Sequence, residues 1–180
     1  MTAEEFALLP DPPGGEQMEL VRGRVKFAPP ADTGHGERAF LIGVALYAFA
    51  RKHGLGIVTG EGGYRLASGP DVVRAPDAAF LATERIPLGL PDEGYFDGAP
   101  NLAVEVISPT DKDADIAEKV LDYLTFGTER VWVVRPGLRT VTVHRPGGDA
   151  HTYTITDTLT SADAAFSVTG FTLPVAELFA

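Results

Sequence analysis

Apolar and polar residues change their period several times along the chain. Thr2 and Glu5 form a capping-box pattern that predicts a short helix over roughly residues 3–9, ended by the turn-forming run LPDPPGG. QMELVRGRVKFA then alternates, with Val21, Val25 and Phe27 on one face and Arg22, Arg24 and Lys26 on the other. This predicts one half-exposed strand whose basic row is a solvated face. In HGERAFLIGVALYAFARKHG the period becomes helical, and Gly54 suits a C-cap. Along that helix His35, Ala39, Ile42, Leu46 and Phe49 share one face, and Glu37 lies opposite with Val44.

Short β-like runs, GIVTG, YRLA, DVV and DAAFLA, occupy residues 56–82, and a loop rich in glycine, proline and acids fills 83–100. A strand over 101–107 and a helix from about Asp115 to Phe126 follow. RVWVVRP, RTVTVHR and HTYTITD predict three strands, the last two a hairpin across PGGDA, and LPVAELFA predicts a short closing helix. Strands and helices alternate only in part, so the expected class is α/β with a mixed central sheet flanked by helices.

Two acids interrupt this pattern. In NLAVEVIS, alternation puts Leu102, Val104 and Val106 on one face and Asn101, Ala103, Glu105 and Ile107 on the other. In RAPDAAFL the same rule groups Asp77 with Ala75 and Ala79. A half-buried carboxylate is costly unless paired, hydrogen-bonded or bound to metal, and two on neighbouring strands repel unless a cation lies between them. Two carboxylates with water are a donor set that Mg²⁺ accepts. Spacing alone leaves a simpler alternative ahead, in which Asp77 and Glu105 face solvent or pair with Arg65 or Arg74. Lys119 flanks the apolar stripe of its helix, formed by Ile116, Val120, Tyr123 and Leu124, while Asp115 and Glu118 form a capping pair. Its ammonium can reach a pocket near Glu105 or simply snorkel. His35, at a helix start, and Glu61, after IVTG, are further candidates, each with an ordinary structural explanation.

The chain has 180 residues, 44% hydrophobic, which fits one domain over 1–180 with residues 1–15 as a short helical appendage. It has no run of eighteen apolar residues and no basic leader, and its zero cysteines exclude disulfides and thiolate chemistry. A soluble, cytoplasmic protein is expected. A net charge of −10 argues against broad nonspecific nucleic-acid binding, so any such role must rest on a local site or a metal. H-E-x-x-H, the phosphate-loop motif and G-x-S-x-G are absent, and the four serines, Ser68, Ser108, Ser161 and Ser167, lie in no nucleophile elbow.

MELVRGRV, GHGERAF, RAPDAAFL, GAPNLAVEVISPTDKDADIAEKVLDYLTFG, VWVVRPGLRTVTVHR and GFTLPVAELF together resemble the Uma-two-type family of small bacterial restriction-endonuclease-like proteins, a branch of the PD-(D/E)XK nuclease superfamily. The likeness spans residues 16–180. It implies a restriction-endonuclease-like core with a metal site at the sheet, Mg²⁺ or Mn²⁺ as cofactor and DNA as substrate, cut most easily by a homodimer. By position, Asp77 and Glu105, with the backbone carbonyl of Val106, match the metal ligands, and Lys119 matches the catalytic lysine. His35 matches a histidine frequent at the start of the family's helix. The superfamily usually has its lysine two residues after the second acid, where this chain has Ile107. Asn101 and Arg135 stand where the family often has Asp. Two readings follow: a metal-dependent endonuclease, or a noncatalytic nuclease-fold module that binds protein or nucleic acid. A two-carboxylate glycosidase is a distant third, because one Trp and five Tyr offer little sugar platform.

Overall fold

A computed structural model describes residues 1–87 and 89–180. In chain order the elements are α1 (Ala3–Ala7), β1 (Gln17–Val21), β2 (Arg24–Ala28), α2 (Thr33–His53), β3 (Gly56–Thr59), β4 (Tyr64–Ala67), β5 (Val72–Arg74), β6 (Ala78–Ala82), β7 (Phe96–Asp97), β8 (Leu102–Val106), α3 (Asp113–Thr125), β9 (Arg130–Arg135), β10 (Thr140–His144), β11 (Ala150–Tyr153), β12 (Thr158–Thr160) and β13 (Thr172–Pro174). The short closing helix expected in the tail is a 3-10 helix at Val175–Phe179.

The central sheet has six strands in the order β11-β10-β9-β8-β6-β3. It is mixed, because β8 and β9 run parallel while its other neighbours are antiparallel. One face packs Phe80, Leu102, Val104 and Trp132 against Ile42 and Leu46 of α2 and against Phe166 and Phe171. The other packs Ala79, Ala103, Val131 and Val133 against Ile116, Val120 and Tyr123 of α3. Both faces are covered, so β8 is buried along its whole length. This is the expected α/β architecture, a mixed central sheet flanked by helices.

A second sheet, β2-β1-β5-β4-β7, lies on the α3 side, where its Tyr64, Leu66 and Val72 join the same core. It corrects the single strand expected over 17–28. Arg22 (φ 49°) and Gly23 (φ 74°) are both left-handed, the geometry of a two-residue hairpin turn, and Val21 pairs with Arg24 and Leu20 with Val25. A two-residue turn reverses side-chain parity, so Val21 does not share a face with Val25 and Phe27. Two of the three residues of the basic row are paired: Lys26 Nζ donates to Glu118 (2.6 Å) and Asp115 (3.2 Å), and Arg22 pairs with Glu118 and Asp122, whereas Arg24 is exposed as expected. Asp115 and Glu118 therefore serve the hairpin instead of capping α3, which begins at Asp113 after Lys112, with no side-chain cap. The Thr2–Glu5 capping box does form, on a helix of five residues, and Gly54 closes α2 in the left-handed conformation at φ 62°.

Candidate active site

Asp77 is the last residue before β6, and Glu105 lies near the end of β8, with Ala78 paired to Val104. Asp77 N donates to Val104 O at 2.9 Å, and Asp77 Oδ2 accepts from Val106 N at 2.6 Å. Asp77 is thus pinned, by its own amide on one side of Glu105 and by its carboxylate on the other, to the backbone of β8. Its other oxygen, Oδ1, lies 2.9 Å from His35 Nε2, which the first turn of α2 brings to the sheet end. Asp32 caps that turn, its Oδ1 accepting from His35 N at 2.8 Å.

Glu105 faces α3. Lys119 and Tyr123, one turn apart on the same helix face, both donate to it: Lys119 Nζ to Oε2 at 2.9 Å and Tyr123 OH to Oε1 at 2.8 Å. Lys119 Nζ also lies 3.3 Å from Glu19 Oε1. Glu19, buried in β1, accepts from Ala75 N (3.1 Å) and Arg74 Nη1 (2.8 Å). Arg74 in turn donates to Asp122 through Nε (3.0 Å) and Nη2 (2.5 Å). Neither Arg65 nor Arg74 pairs with Asp77 or Glu105, since Arg65 turns to Glu4, Asp71 and Asp97.

The charges perturb one another. Burial is the largest influence on Glu105; with the nearby negative charges of Asp77 and Glu19 it outweighs Lys119 and pushes the carboxyl up to about 7. Burial works against the Lys119 ammonium, but Glu105, Glu19 and Asp77 together hold its pKa above the usual lysine value. The bond to Asp77 raises the pKa of His35 against the effect of burial. Burial, followed by the charges of Glu105 and Glu19, lifts Tyr123 well above the usual phenol value, so it remains a donor.

A cavity of about 320 Å³ opens beside Glu105, lined also by Glu19, Lys26, Arg74, Ile107 and Lys119. Asp77 instead borders a groove of about 380 Å³ between α2 and β3, shared with exposed Glu61. His35, Arg38 and Arg135 line a third hollow with Ile107 and Asp111. The fold therefore joins Asp77 to His35 and Glu105 to Lys119 around the same two strand ends, with Glu61 at the periphery and forming no hydrogen bond among the described residues. Ile107 borders the first and third of these hollows. Asn101 lies at the other end of β8 from Glu105, where it accepts from Ala82 N and donates to Glu129.

Among the described residues no three His, Asp or Glu side chains converge as a metal cluster. Two carboxylates with a backbone carbonyl still fit a hard divalent ion, which takes one or two carboxylates and keeps its waters. Burial first, and then the charges of Asp77 and Glu19, raise the Glu105 carboxyl, and a bound cation would favour its ionised form. Sequence reasoning left out Glu19 as a site residue. Its signal was the same as that of Glu105, a lone acid inside an apolar run, MELV.

Over 99% of this chain and 97% of the other, the fold matches the crystal structure of a putative nuclease belonging to DUF820 from Anabaena variabilis, with a TM-score of 0.80 at 20% sequence identity. A comparison with curated proteins gives no match. The model of the Uma2 family, described as "Putative restriction endonuclease", matches residues 3–176, and the chain belongs to that family.

Proposed function

We propose that the protein is a metal-dependent endonuclease that hydrolyses phosphodiester bonds in DNA, with Mg²⁺ or Mn²⁺ as cofactor. The observation that carries this reading is that Asp77, bonded to the Val106 amide, and Glu105, bonded to Lys119, stand on the paired strands β6 and β8 at the same end of the sheet. Asp77, Glu105 and the Val106 carbonyl are the groups that would hold the ion. When bound, it would polarise the scissile phosphate and lower the pKa of an attacking water.

The other roles belong to the chain's own side chains. The Val106 amide and His35 fix both oxygens of Asp77, so that carboxylate is oriented before any ligand arrives. Lys119 is engaged by Glu105 and lies close to Glu19. Once Glu105 turns to a cation, the ammonium is free to orient water and to offset charge building on the phosphate. Its raised pKa keeps it a donor, with the proton on Nζ. Tyr123 holds the second oxygen of Glu105.

The test uses plasmid and single-stranded DNA with Mg²⁺ or Mn²⁺ and compares wild type with Asp77→Ala and Lys119→Ala. Cleavage is expected from wild type, with Lys119→Ala lower by roughly 10²–10⁴-fold and Asp77→Ala inactive. Cleavage that survives both substitutions sinks the mechanism. A wild type that neither cuts DNA nor gives a Mn²⁺ isotherm by calorimetry marks a noncatalytic nuclease-fold module instead.

A further inference from the structure

Helix α2 buries one face in the core and leaves its opposite face more apolar than solvent contact explains. Phe40 is 70% exposed, Val44 and Tyr47 47% each and Leu41 40%. At 100° per residue these four side chains, with Ala48, form one stripe. Glu37 begins the stripe and Arg51 ends it. Neither forms a salt bridge among the described residues, where the one side-chain hydrogen bond of Arg51 goes to Tyr47 in its own helix. Gly36 and Gly43 lie beside the stripe, in the helix interior, where each glycine costs about 1 kcal/mol relative to alanine. A Cβ at either would meet nothing within 4 Å, so packing within the chain does not require them.

The same face borders the groove between α2 and β3, whose lining includes Gly36, Phe40, Gly43 and Tyr47. β3 is the edge of the central sheet, and its sequence, GIVT, has no charge to blunt that edge. The charged residues of the groove are Glu61 and Asp77, both acidic. The groove itself supplies no Lys or Arg to hold a nucleic-acid backbone or an anionic membrane.

From the apolar stripe and its oppositely charged, unpaired ends we infer that α2 is a self-association surface, occupied by α2 of a second copy of this chain lying antiparallel across a twofold axis at Val44. In that arrangement Val44 meets Val44 of the partner subunit, and Leu41 of each copy meets the other's residue 47. Glu37 of each copy faces the other's residue 51, so both charged ends are neutralised twice by one symmetry operation. The glycines let the partner's aromatic rings approach the helix backbone along the groove. This inference rests on the nuclease reading and deepens it, because the twofold would relate two sites about one axis, the arrangement in which both strands of a duplex are cut most easily.

The test is the mass of the full chain in solution, by sedimentation velocity and light scattering across micromolar concentrations. Wild type is expected to be a dimer. Val44→Glu, which places like charges on the axis, is expected to give a monomer with unchanged circular dichroism. Glu37→Arg or Arg51→Glu alone is expected to weaken the dimer by roughly tenfold, and the double exchange Glu37→Arg/Arg51→Glu to restore it. A wild-type monomer up to about 100 μM, a concentration above the Kd of weak specific pairs, overturns the inference. So does a dimer that Val44→Glu and Glu37→Arg leave intact. These readouts are masses, so a protein that dimerises this way without cutting DNA contradicts only the nuclease reading.

Discussion

Two buried ionic clusters meet at Glu19, and they are built in opposite ways. On one side Arg74 and Asp122, each 1% exposed, are saturated: Arg74 spans Glu19 and Asp122, and the second Asp122 oxygen accepts from Arg22 at 2.8 Å. On the other side Glu105, Glu19 and Asp77 outnumber Lys119, and the carboxyl of Glu105 rises to about 7. The first cluster ties α3 to β1, β5 and the hairpin turn; Arg74 and Glu105 both line the cavity, but only the second cluster brings an incompletely paired acid to it. A buried charge network is therefore structural when its pairing is complete and a candidate site when it keeps an uncompensated acid at a hollow.

The sharpest way to break this contrast is to remove one cation from each cluster. Arg74→Ala strands Glu19 and Asp122 without their buried partner and is expected to cost about 3–5 kcal/mol in denaturant unfolding. Lys119→Met is expected to cost only about 1–2 kcal/mol, because Glu105 can take up a proton near neutrality. Equal losses would contradict the distinction between the clusters.

pH separates them next. The folded-state pKa of Glu105 is raised from 4.5 to about 7, so its contribution to stability is fully present below 4.5 and is lost as pH rises through about 7. His35 acts in the same sense: its raised value stabilises the fold below 6.5 and that contribution is lost as pH climbs through the folded value. Thermal unfolding from pH 5 to 9 should show this loss in wild type and a flatter profile in Glu105→Gln. Under the proposed function, a metal ion must displace the Glu105 proton. Mn²⁺ affinity by calorimetry should then rise by about tenfold per pH unit below 7 and level off above it; a pH-independent affinity would remove Glu105 from the ligand set. The smallest effect is expected from Tyr123→Phe, which deletes one hydrogen bond to Glu105 at about 1 kcal/mol. Its signature is a further rise of the Glu105 pKa, read from the same pH profile.

Much of the fold was legible. The helical period over residues 33–53, the Gly54 cap, the strand around Glu105 and the β9-β10-β11 succession all follow from local pattern. The hairpin at Arg22–Gly23 was missed because twelve residues that alternate throughout look like one strand, and only the left-handed pair at the turn reverses their parity. The helix start at Asp113 was misjudged because Asp115 and Glu118 read as a cap, whereas their partner, Lys26, is far away in sequence.

For the site, alternation isolated Glu105 as an acid in a core strand, helical spacing put Lys119 beside the buried stripe, and the family resemblance paired them with Asp77. The pattern alone left the ordinary salt-bridge explanation ahead. Only the tertiary structure decided the partners. Glu19 and Arg74 are 55 residues apart, and Arg74 and Asp122 are 48 apart. Periodicity encodes which face of an element a side chain occupies, because that depends on backbone geometry within a few residues. Which charge meets which is set by strand order and helix packing, which no local repeat contains, and so the sequence determined the positions of the acids while the fold determined that Arg74 closes one cluster and leaves Glu105 open to the cavity.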